Sequence, residues 1–460
     1  MFAPNTHERK TEDLSAMKMN GIESPLMQCA GLKWFVLTIF LLAYGFCSTV
    51  LAETGAAYDS AKLNKIQVLL DSLYDKGQIP NYAVEIRRGG EPIYSAYRGK
   101  TELGGELSVD ENTIFWVASM GKPIVSTAVL KLIGEGRLGL DDALSKYFPE
   151  FKDMVVAPLG DLDVPFESAR SEITIRNLLT HTSGFTYSPA VLGLGDVAEQ
   201  YLELGVMSQN YSLPDNLELL SQIPLVAHPG SSFNYSVSTD VLGAVIEKVT
   251  GMRLGEYLGQ EFFEPLGMKD TAFSVAPSKR GRFARFYQPA SLNNPAPLVA
   301  DSNIKWQIAE AAPFGLPYDG WGQPPRYDSG GGGIYSTADD FLKYAEMVAA
   351  GGTYEGKVYL SPETAEIHLQ DLMPYLGLEA FETAFGEAAR FMKFGGGYGI
   401  KLEEDGSGNP DYYFWGGAAN TFFWIDAADQ SVGVFFTHIW PPRYNLSDQI
   451  EQLVDEARLK

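Results

Sequence analysis

The chain has 460 residues, of which 45% are apolar, 12% aromatic and 20% charged, and its formal net charge is −23. A chain this apolar and aromatic buries a large core, which excludes wholesale disorder, and its length predicts two or three structural domains. The excess of acidic side chains repels phosphate backbones and anionic lipid, so we expect no nucleic acid among its partners.

Residues 1–52 have the pattern of an N-terminal extension followed by a signal peptide. The uncharged run Trp34–Ala52 ends with Val50 and Ala52 as small residues, which predicts export and cleavage before Glu53. A run of this length also just spans a membrane, so an uncleaved anchor is the alternative, and only then is the membrane a partner. Both cysteines lie in this segment, so the mature part has no thiol for a disulfide or a metal. We therefore expect a periplasmic or secreted protein.

The next part of the chain alternates between helical and strand patterns. Apolar residues at helical spacing predict a helix over Ala57–Lys76. Two strands follow within Tyr82–Arg98 around a Gly-Gly turn. Residues 113–250 are mostly helical in pattern, whereas residues 275–333 are rich in Pro, Asn and Gly and are predicted to be irregular.

The C-terminal part returns to strands. A capping box at Ser336 and Asp339 predicts the start of a helix, and another helix over Leu446–Leu459 closes the chain. The strands predicted between these helices are Gly397–Glu403, Asp411–Trp415, Asn420–Asp426 and Ser431–His438. Strands near both ends and helices between them predict an α+β fold, with a discontinuous sheet domain (57–118 and 280–460) and an inserted, mainly helical domain (119–279).

The first candidate for chemistry is a Ser-x-x-Lys pattern at Ser119 and Lys122. The pattern alone is weak, because it recurs at Ser15–Lys18 and Ser302–Lys305. Pro123 is tolerated only in a first helical turn, so the helix must begin at about Ser119, whose N–H is then free for a developing oxyanion. Lys122 shares a helix face with Ser119, and burial disfavours its ammonium form, so it can act as a base. An N-capping serine with a snorkelling lysine is the alternative.

Two further segments are candidates. Tyr235 lies between a loop and a helix that ends at Gly251, so we expect it exposed at the helix mouth with its phenol free to reach a neighbour. The alternative for a lone Tyr is a hydrogen bond to backbone. The second segment is Trp415-Gly416-Gly417-Ala418, where paired glycines let another backbone or a substrate come close; by itself it indicates only a bulge.

Other patterns favour ordinary structural roles. The histidines after the signal segment form no metal-spaced pair, so we predict no metal site. Val117 occupies the first Gly position of a Gly-x-Ser-x-Gly elbow, which excludes the Ser-His-Asp class. His181 is interpreted as a turn residue, and Gly330–Gly333 as a close-packed turn near the site, because no Lys-Ser/Thr follows it as in a phosphate loop.

In order and separation, the three candidate segments resemble those of the serine β-lactamase and penicillin-binding protein superfamily, and within it the family VIII carboxylesterases, which are similar to class C β-lactamases. The resemblance spans about residues 57–455. It also includes the segments Asn177–Gly184, Gly134–Asp142 and Gly396–Ile400. It implies the β-lactamase/transpeptidase-like fold, an antiparallel sheet flanked by helices with an inserted all-helical domain.

The resemblance also implies roles for individual residues. Ser119 would be the nucleophile, with Lys122 and Tyr235 as its proton-transfer partners. The oxyanion hole would consist of the N–H groups of Ser119 and Ala418. Substrate-binding positions would be Trp415, Gly416 and Gly417. No cofactor is implied.

Two departures from the class C pattern predict the substrate. Where those lactamases carry Tyr-x-Asn this chain has Tyr235-Ser236-Val237, and Trp415 stands where they carry the Lys of Lys-Thr-Gly. That Lys would pair with the carboxylate of a β-lactam or peptide, whereas Trp415 offers an apolar wall. The Trp-Gly-Gly form marks the esterase branch.

We therefore predict a serine carboxylesterase that cleaves small neutral esters with short acyl chains through a Ser119 acyl-enzyme. A β-lactamase or D-alanyl peptide hydrolase with the same residues is the first alternative. A penicillin-binding or cell-wall sensor domain without catalysis is the second.

Overall fold

The computed structural model describes residues 58–189, 193, 195–290, 304–309, 324–377, 381, 386–441 and 446–459. The predicted signal peptide and its cleavage site lie outside the described residues. Within the described residues, no helix is both long enough and apolar enough to cross a membrane.

The fold begins with the predicted helix and hairpin. Helix α1 (Ser60–Asp75) starts at Asp59, whose carboxylate accepts two backbone N–H groups of the first turn. Strands β1 (Asn81–Arg88) and β2 (Glu91–Gly99) pair antiparallel. They are joined by a Gly-Gly pair with φ of 55° and 86°, a conformation that glycine adopts without strain.

The middle of the chain contains short helices and small two-stranded ribbons. The helices are α2 (Lys122–Gly134), α3 (Ile175–Leu179), α4 (Asp196–Leu204), α5 (Leu213–Ser221), α6 (Ser238–Thr250), α7 (Leu254–Leu258), α8 (Ala338–Ala349) and α9 (Pro362–His368). The strands are β3 (Phe115–Trp116), β4 (Val155–Val156), β5 (Glu167–Ser168), β6 (Tyr287–Pro289), β7 (Trp306–Ile308), β8 (Tyr335–Ser336), β9 (Thr353–Tyr354) and β10 (Lys357–Val358). They pair as β3–β8, β4–β5, β6–β7 and β9–β10.

The C-terminal strands complete one large sheet with the first hairpin. They are β11 (Met392–Gly395), β12 (Tyr398–Leu402), β13 (Pro410–Gly417), β14 (Thr421–Asp426) and β15 (Ser431–Phe436), followed by α10 (Leu446–Ala457). The seven strands run antiparallel in the order β11-β12-β13-β14-β15-β1-β2. Strand β15 pairs with β1, with Val84 opposite Phe435, so the two ends of the chain share one sheet. The predicted α+β fold class is confirmed.

Helices cover both faces of this sheet. Helices α1 and α10 contribute Leu63, Ile66 and Ile450 to a core on one face. Helix α8 packs against the other face, where Phe341 lies 5.0 Å from Phe423 between ring centroids. Helix α2 is apolar nearly all round and buried along most of its length, as expected for a helix inside the core.

Some predicted boundaries are wrong. Helix α8 is capped by Thr337, whose hydroxyl accepts the Asp340 N–H, and not by Ser336. Strand β11 was not predicted, and residues 113–250 contain more turns and fewer helical residues than their pattern indicated.

Residues Ala56–Lys460 cluster as one compact unit, and the division into a sheet domain and an inserted helical domain stays a prediction.

Candidate active site

Ser119 lies at the sharp entry to α2. It belongs to a short 3₁₀ helix, Ala118–Gly121, that precedes α2 directly, with Pro123 in the first turn of α2 as predicted. Ala118 has φ of 48°, in the left-handed region that residues with a Cβ rarely adopt. The Ser119 N–H lies in the first turn of the 3₁₀ helix, where an amide has no acceptor within the helix. It can therefore donate a hydrogen bond to an acceptor outside the helix.

The side chain of Lys122 is fully buried, with an exposed fraction of 0%. Its Nζ donates to Ser119 Oγ over 3.0 Å and also to the carbonyl oxygen of Gly331. The 3₁₀ helix has no side-chain cap, so the Ser119 hydroxyl bonds to Lys122 instead of capping the backbone. The alternative of an N-capping serine with a snorkelling lysine is therefore wrong.

Tyr235 lies beside this pair, but it is half-buried and not exposed as predicted. The centre of its ring is 4.8 Å from Lys122 Nζ. The rings of His181, Tyr187 and Trp415 pack around it, with centroid separations of 4.6, 5.5 and 5.5 Å. The Trp415 Nε1–H donates to the Tyr235 phenol oxygen over 3.3 Å, so among the described residues the phenol is held by a side chain and not by backbone.

The Trp415–Ala418 segment forms the end of β13 and the start of the turn into β14. The Thr421 hydroxyl in β14 donates to the Val117 carbonyl over 3.2 Å. A Cβ on Gly417 would lie 3.2 Å from the Val117 carbonyl carbon and closer still to its oxygen. This turn therefore packs on the backbone just before Ser119, so the predicted oxyanion-hole residues belong to adjoining segments.

Trp415 exposes only 9% of its surface. Its indole packs edge-on against Phe394, with ring centroids 5.3 Å apart, and it is tilted against Tyr235 at 5.5 Å. The predicted apolar wall is thus mostly covered, and part of it packs against the Tyr235 ring.

The Gly330–Gly333 turn lies at the site, as predicted, and it brings residues that the sequence analysis missed. Strand β8, just after the turn, pairs with β3, just before Ser119, which places the Gly331 carbonyl at Lys122. Asp240 Oδ1 accepts the Ser329 hydroxyl over 2.5 Å and the Gly331 N–H over 3.1 Å. The sequence signal that could have identified Asp240 is a carboxylate among the apolar positions of α6.

The buried titratable groups near Lys122 are perturbed by burial. Desolvation raises the pKa of the Asp240 carboxyl, and the Ser329 hydroxyl, the Lys122 ammonium and the Gly331 N–H oppose this shift. Desolvation, together with the Lys122 charge, holds the pKa of His181 well below its usual range, so this imidazole is neutral.

His181 has a structural position, in agreement with the prediction of a turn residue. It has φ of 53°, and its Nδ1 accepts the Ser236 N–H over 3.2 Å. Its carbonyl accepts the Asn234 N–H, so His181 holds the backbone on both sides of Tyr235. No His, Asp or Glu cluster within the described ranges is arranged to hold a metal ion.

A serine hydroxyl bonded to a buried lysine beside a tyrosine, at the start of a core helix, is the side-chain arrangement of a Ser-x-x-Lys hydrolase. Residues 66–455 match the family model described as Beta-lactamase, and the chain belongs to that family. Among curated proteins it is similar to Esterase EstB of Burkholderia gladioli, with 30% identity over 389 residues that cover 82% of this chain and 91% of the relative.

Two solved structures have the same fold. One is EstCE1, described as a hydrolase with promiscuous acyltransferase activity, with a TM-score of 0.68 and 27% identity over 86% of this chain and 99% of that one. The other is simvastatin synthase LovD of Aspergillus terreus, with a TM-score of 0.69 and 21% identity over 87% and 98% of the two chains. The predicted superfamily, fold and enzyme class, a serine ester hydrolase, are confirmed.

Proposed function

We propose that this protein is a carboxylesterase that cleaves small neutral esters, with short acyl chains, through an acyl-enzyme on Ser119. The observation that carries the proposal is the buried Lys122 Nζ, 3.0 Å from Ser119 Oγ. Similarity to the relatives named EstB and EstCE1 supports ester hydrolysis as the reaction.

In the acylation half-reaction, Ser119 Oγ attacks the ester carbonyl while Lys122, assisted by Tyr235, takes the hydroxyl proton. The N–H groups of Ser119 and Ala418 stabilise the oxyanion of the tetrahedral intermediate. The intermediate collapses by breaking the bond to the alkoxy group, which leaves as the alcohol with the proton from Lys122. The Gly331 carbonyl, which accepts from Nζ, keeps the amine oriented towards Oγ throughout.

Deacylation uses the same groups in the same order. Water replaces the alcohol, Lys122 and Tyr235 take its proton, and the hydroxide oxygen adds to the acyl carbon. Collapse of the second intermediate breaks the bond to Ser119 Oγ and returns the proton to it. The products are a carboxylic acid and the free enzyme, and no cofactor enters either half.

The proposed preference for neutral esters depends on Trp415. A substrate carboxylate gains a charge-assisted hydrogen bond, about 1.5–3 kcal/mol, only where a cation meets it. Trp415 provides an indole whose Nε1–H already donates to Tyr235. The net charge of −23 adds a weak long-range penalty against anions.

The proposed place of action is the periplasm or the extracellular space. The support is the uncharged run Trp34–Ala52 with its small residues at the end, which precedes the described residues. Intact mass of the protein from the producing cell should give an N-terminus at Glu53. Recovery of the run in a membrane fraction would instead show an anchor.

The central experiment compares kcat/KM of the mature chain for p-nitrophenyl esters of graded acyl length with kcat/KM for nitrocefin. The expected result is a maximum at acetate or butyrate that exceeds the nitrocefin value, with Ser119→Ala as the inactive control. A higher value for nitrocefin would favour the β-lactamase alternative. Absence of turnover on every substrate would favour the sensor-domain alternative.

A further inference from the structure

The proposed reaction leaves one buried charged group near Ser119 unused. Asp240 lies in α6, five positions after Tyr235, and exposes only 4% of its surface. Removing a carboxylate from water is costly unless it is paired or hydrogen-bonded. A neutral Asn or Ser at position 240 would anchor the same turn at a lower desolvation cost, so the charge itself requires an explanation.

One residue, Gly331, connects Asp240 to the candidate base through its two consecutive peptide units. The carboxylate accepts the N–H of Gly331, and the carbonyl of the same residue accepts from Lys122 Nζ. The Ser329 hydroxyl donates to the same carboxylate oxygen as the Gly331 N–H. The carboxylate therefore helps to fix the backbone position of Gly331, whose carbonyl is the acceptor that orients Lys122.

The carboxylate also lies close enough to interact with the charge of Lys122. A Cβ on Gly331 would be 3.1 Å from Asp240 Cγ and 3.3 Å from the Tyr187 phenol oxygen, so the carboxylate packs directly on the Gly331 Cα. The interior here has a low dielectric, in which an opposite charge strongly favours an ammonium over an amine.

Few other titratable groups face this pair. The ring centres of Tyr187 and Tyr235 lie 5.6 and 4.8 Å from Lys122 Nζ, and the neutral His181 packs against Tyr235. Tyr187 and Tyr327 are the tyrosines that interact with Asp240, and burial raises the pKa of both well above the usual range, so both stay neutral. Among the described residues that interact with Lys122, Asp240 therefore supplies the negative charge that balances the ammonium.

We propose that Asp240 is a positioning residue, which holds Gly331 and thereby the carbonyl that orients Lys122, and whose negative charge contributes to the pH dependence of the reaction at Ser119. This inference rests on the proposed function for the roles of Ser119 and Lys122, and it adds the group that controls them.

The test is Asp240→Asn, because the amide oxygen keeps an acceptor for Ser329 and Gly331 while the negative charge is lost. The readout is the rate at which a neutral fluorophosphonate labels Ser119, followed by intact mass as a function of pH. Loss of the negative charge should move the acidic limb of this profile to lower pH. Asp240→Ala, which also removes the acceptor, should in addition lower the maximal labelling rate.

The matched control is Asp340→Asn. Asp340 is also a buried helical aspartate, and its carboxylate accepts the Asp270 N–H over 2.6 Å and the Thr271 hydroxyl over 3.1 Å. Its substitution should leave the acidic limb where it is in the wild type. An Asp240→Asn profile that coincides with the wild-type profile, or an equal shift in Asp340→Asn, would overturn the inference.

Labelling does not depend on which ester the enzyme hydrolyses, so the two proposals fail separately. A wild type that is labelled on Ser119 but turns over no ester contradicts the proposed function, and the labelling profiles still decide the role of Asp240. Ester turnover with an unshifted Asp240→Asn profile contradicts the Asp240 inference alone.

Discussion

The two adjacent glycines of the Trp-Gly-Gly segment should respond very differently to the same added methyl group. A Cβ on Gly417 would lie far inside van der Waals contact of both the Thr421 hydroxyl and the Val117 carbonyl oxygen. On Gly416 the nearest atom to a Cβ is the Thr421 carbonyl oxygen at 3.5 Å, an ordinary contact. Neither glycine has positive φ, so only the space around them distinguishes Gly417→Ala from Gly416→Ala.

The expected magnitude follows from which atoms must move. The atoms that crowd Gly417 are backbone and a β-branched side chain, so the turn must shift, at a cost of about 1–3 kcal/mol in stability. That shift is expected to displace the Ala418 N–H relative to the Ser119 N–H, the two proposed oxyanion donors, and losing one such donor costs about 10²–10³ in kcat. Gly417→Ala should therefore lower kcat for p-nitrophenyl acetate by at least tenfold, whereas Gly416→Ala should lower it far less.

The assay is kcat and KM for both variants beside thermal unfolding, so that loss of folded protein is separated from loss of catalysis. The reasoning predicts that Gly417→Ala still folds and that its loss appears in kcat more than in KM. Equal kcat values for the two variants would refute the placement of this turn against Val117. A Gly416→Ala variant that is the more damaged of the two would refute it as well.

The remaining predictions concern single side chains. Ser119→Ala should stay folded and lose hydrolysis and phosphonate labelling, and a labelled peptide elsewhere would contradict the assignment. Lys122→Ala and Tyr235→Phe should each lower kcat strongly, with the double variant little worse than the worse single, whereas additive losses would argue against a shared proton transfer. Burial raises the pKa of Glu451 to about 8, so the folded chain keeps a proton that the unfolded chain has lost, and stability should fall as pH rises from the usual carboxyl range to about 8. Glu451→Gln should flatten this decline in the free energy of unfolding, measured by chemical denaturation at a series of pH values. An unchanged dependence on pH would show that Glu451 is not the source of the decline.

Local features of the fold could be predicted from the sequence. The start of α2 was located because Pro123 cannot stand later in a helix, and the first hairpin because a Gly-Gly pair separates two strand patterns. The cap of α8 was misplaced by one residue because Ser336 and Thr337 are each followed, three positions later, by an aspartate. Either hydroxyl satisfies the capping pattern, and tertiary packing selects Thr337.

The environment of Lys122 could not be predicted in this way, because its contacts join distant parts of the chain. Lys122 and Gly331 are 209 residues apart, Tyr235 and Trp415 are 180 apart, and Asp240 and Gly331 are 91 apart. No helical or strand period extends over such separations. The half-burial of Tyr235 follows from the same contacts, since the rings that cover it come from other segments.

The charges around the candidate nucleophile help to explain why a neutral substrate suits this site. Lys122 bonds to the carbonyl of Gly331 and Asp240 bonds to its N–H, and the two side chains interact electrostatically, so much of the field of the ammonium is compensated within the protein. An entering carboxylate therefore gains little from Lys122, and the indole at Trp415 offers it no charge. In the proposed mechanism a neutral ester needs only the N–H groups of Ser119 and Ala418, whose attraction strengthens as the oxyanion forms. The proposed preference for neutral esters thus has two independent supports, the indole in β13 and the buried carboxylate in α6.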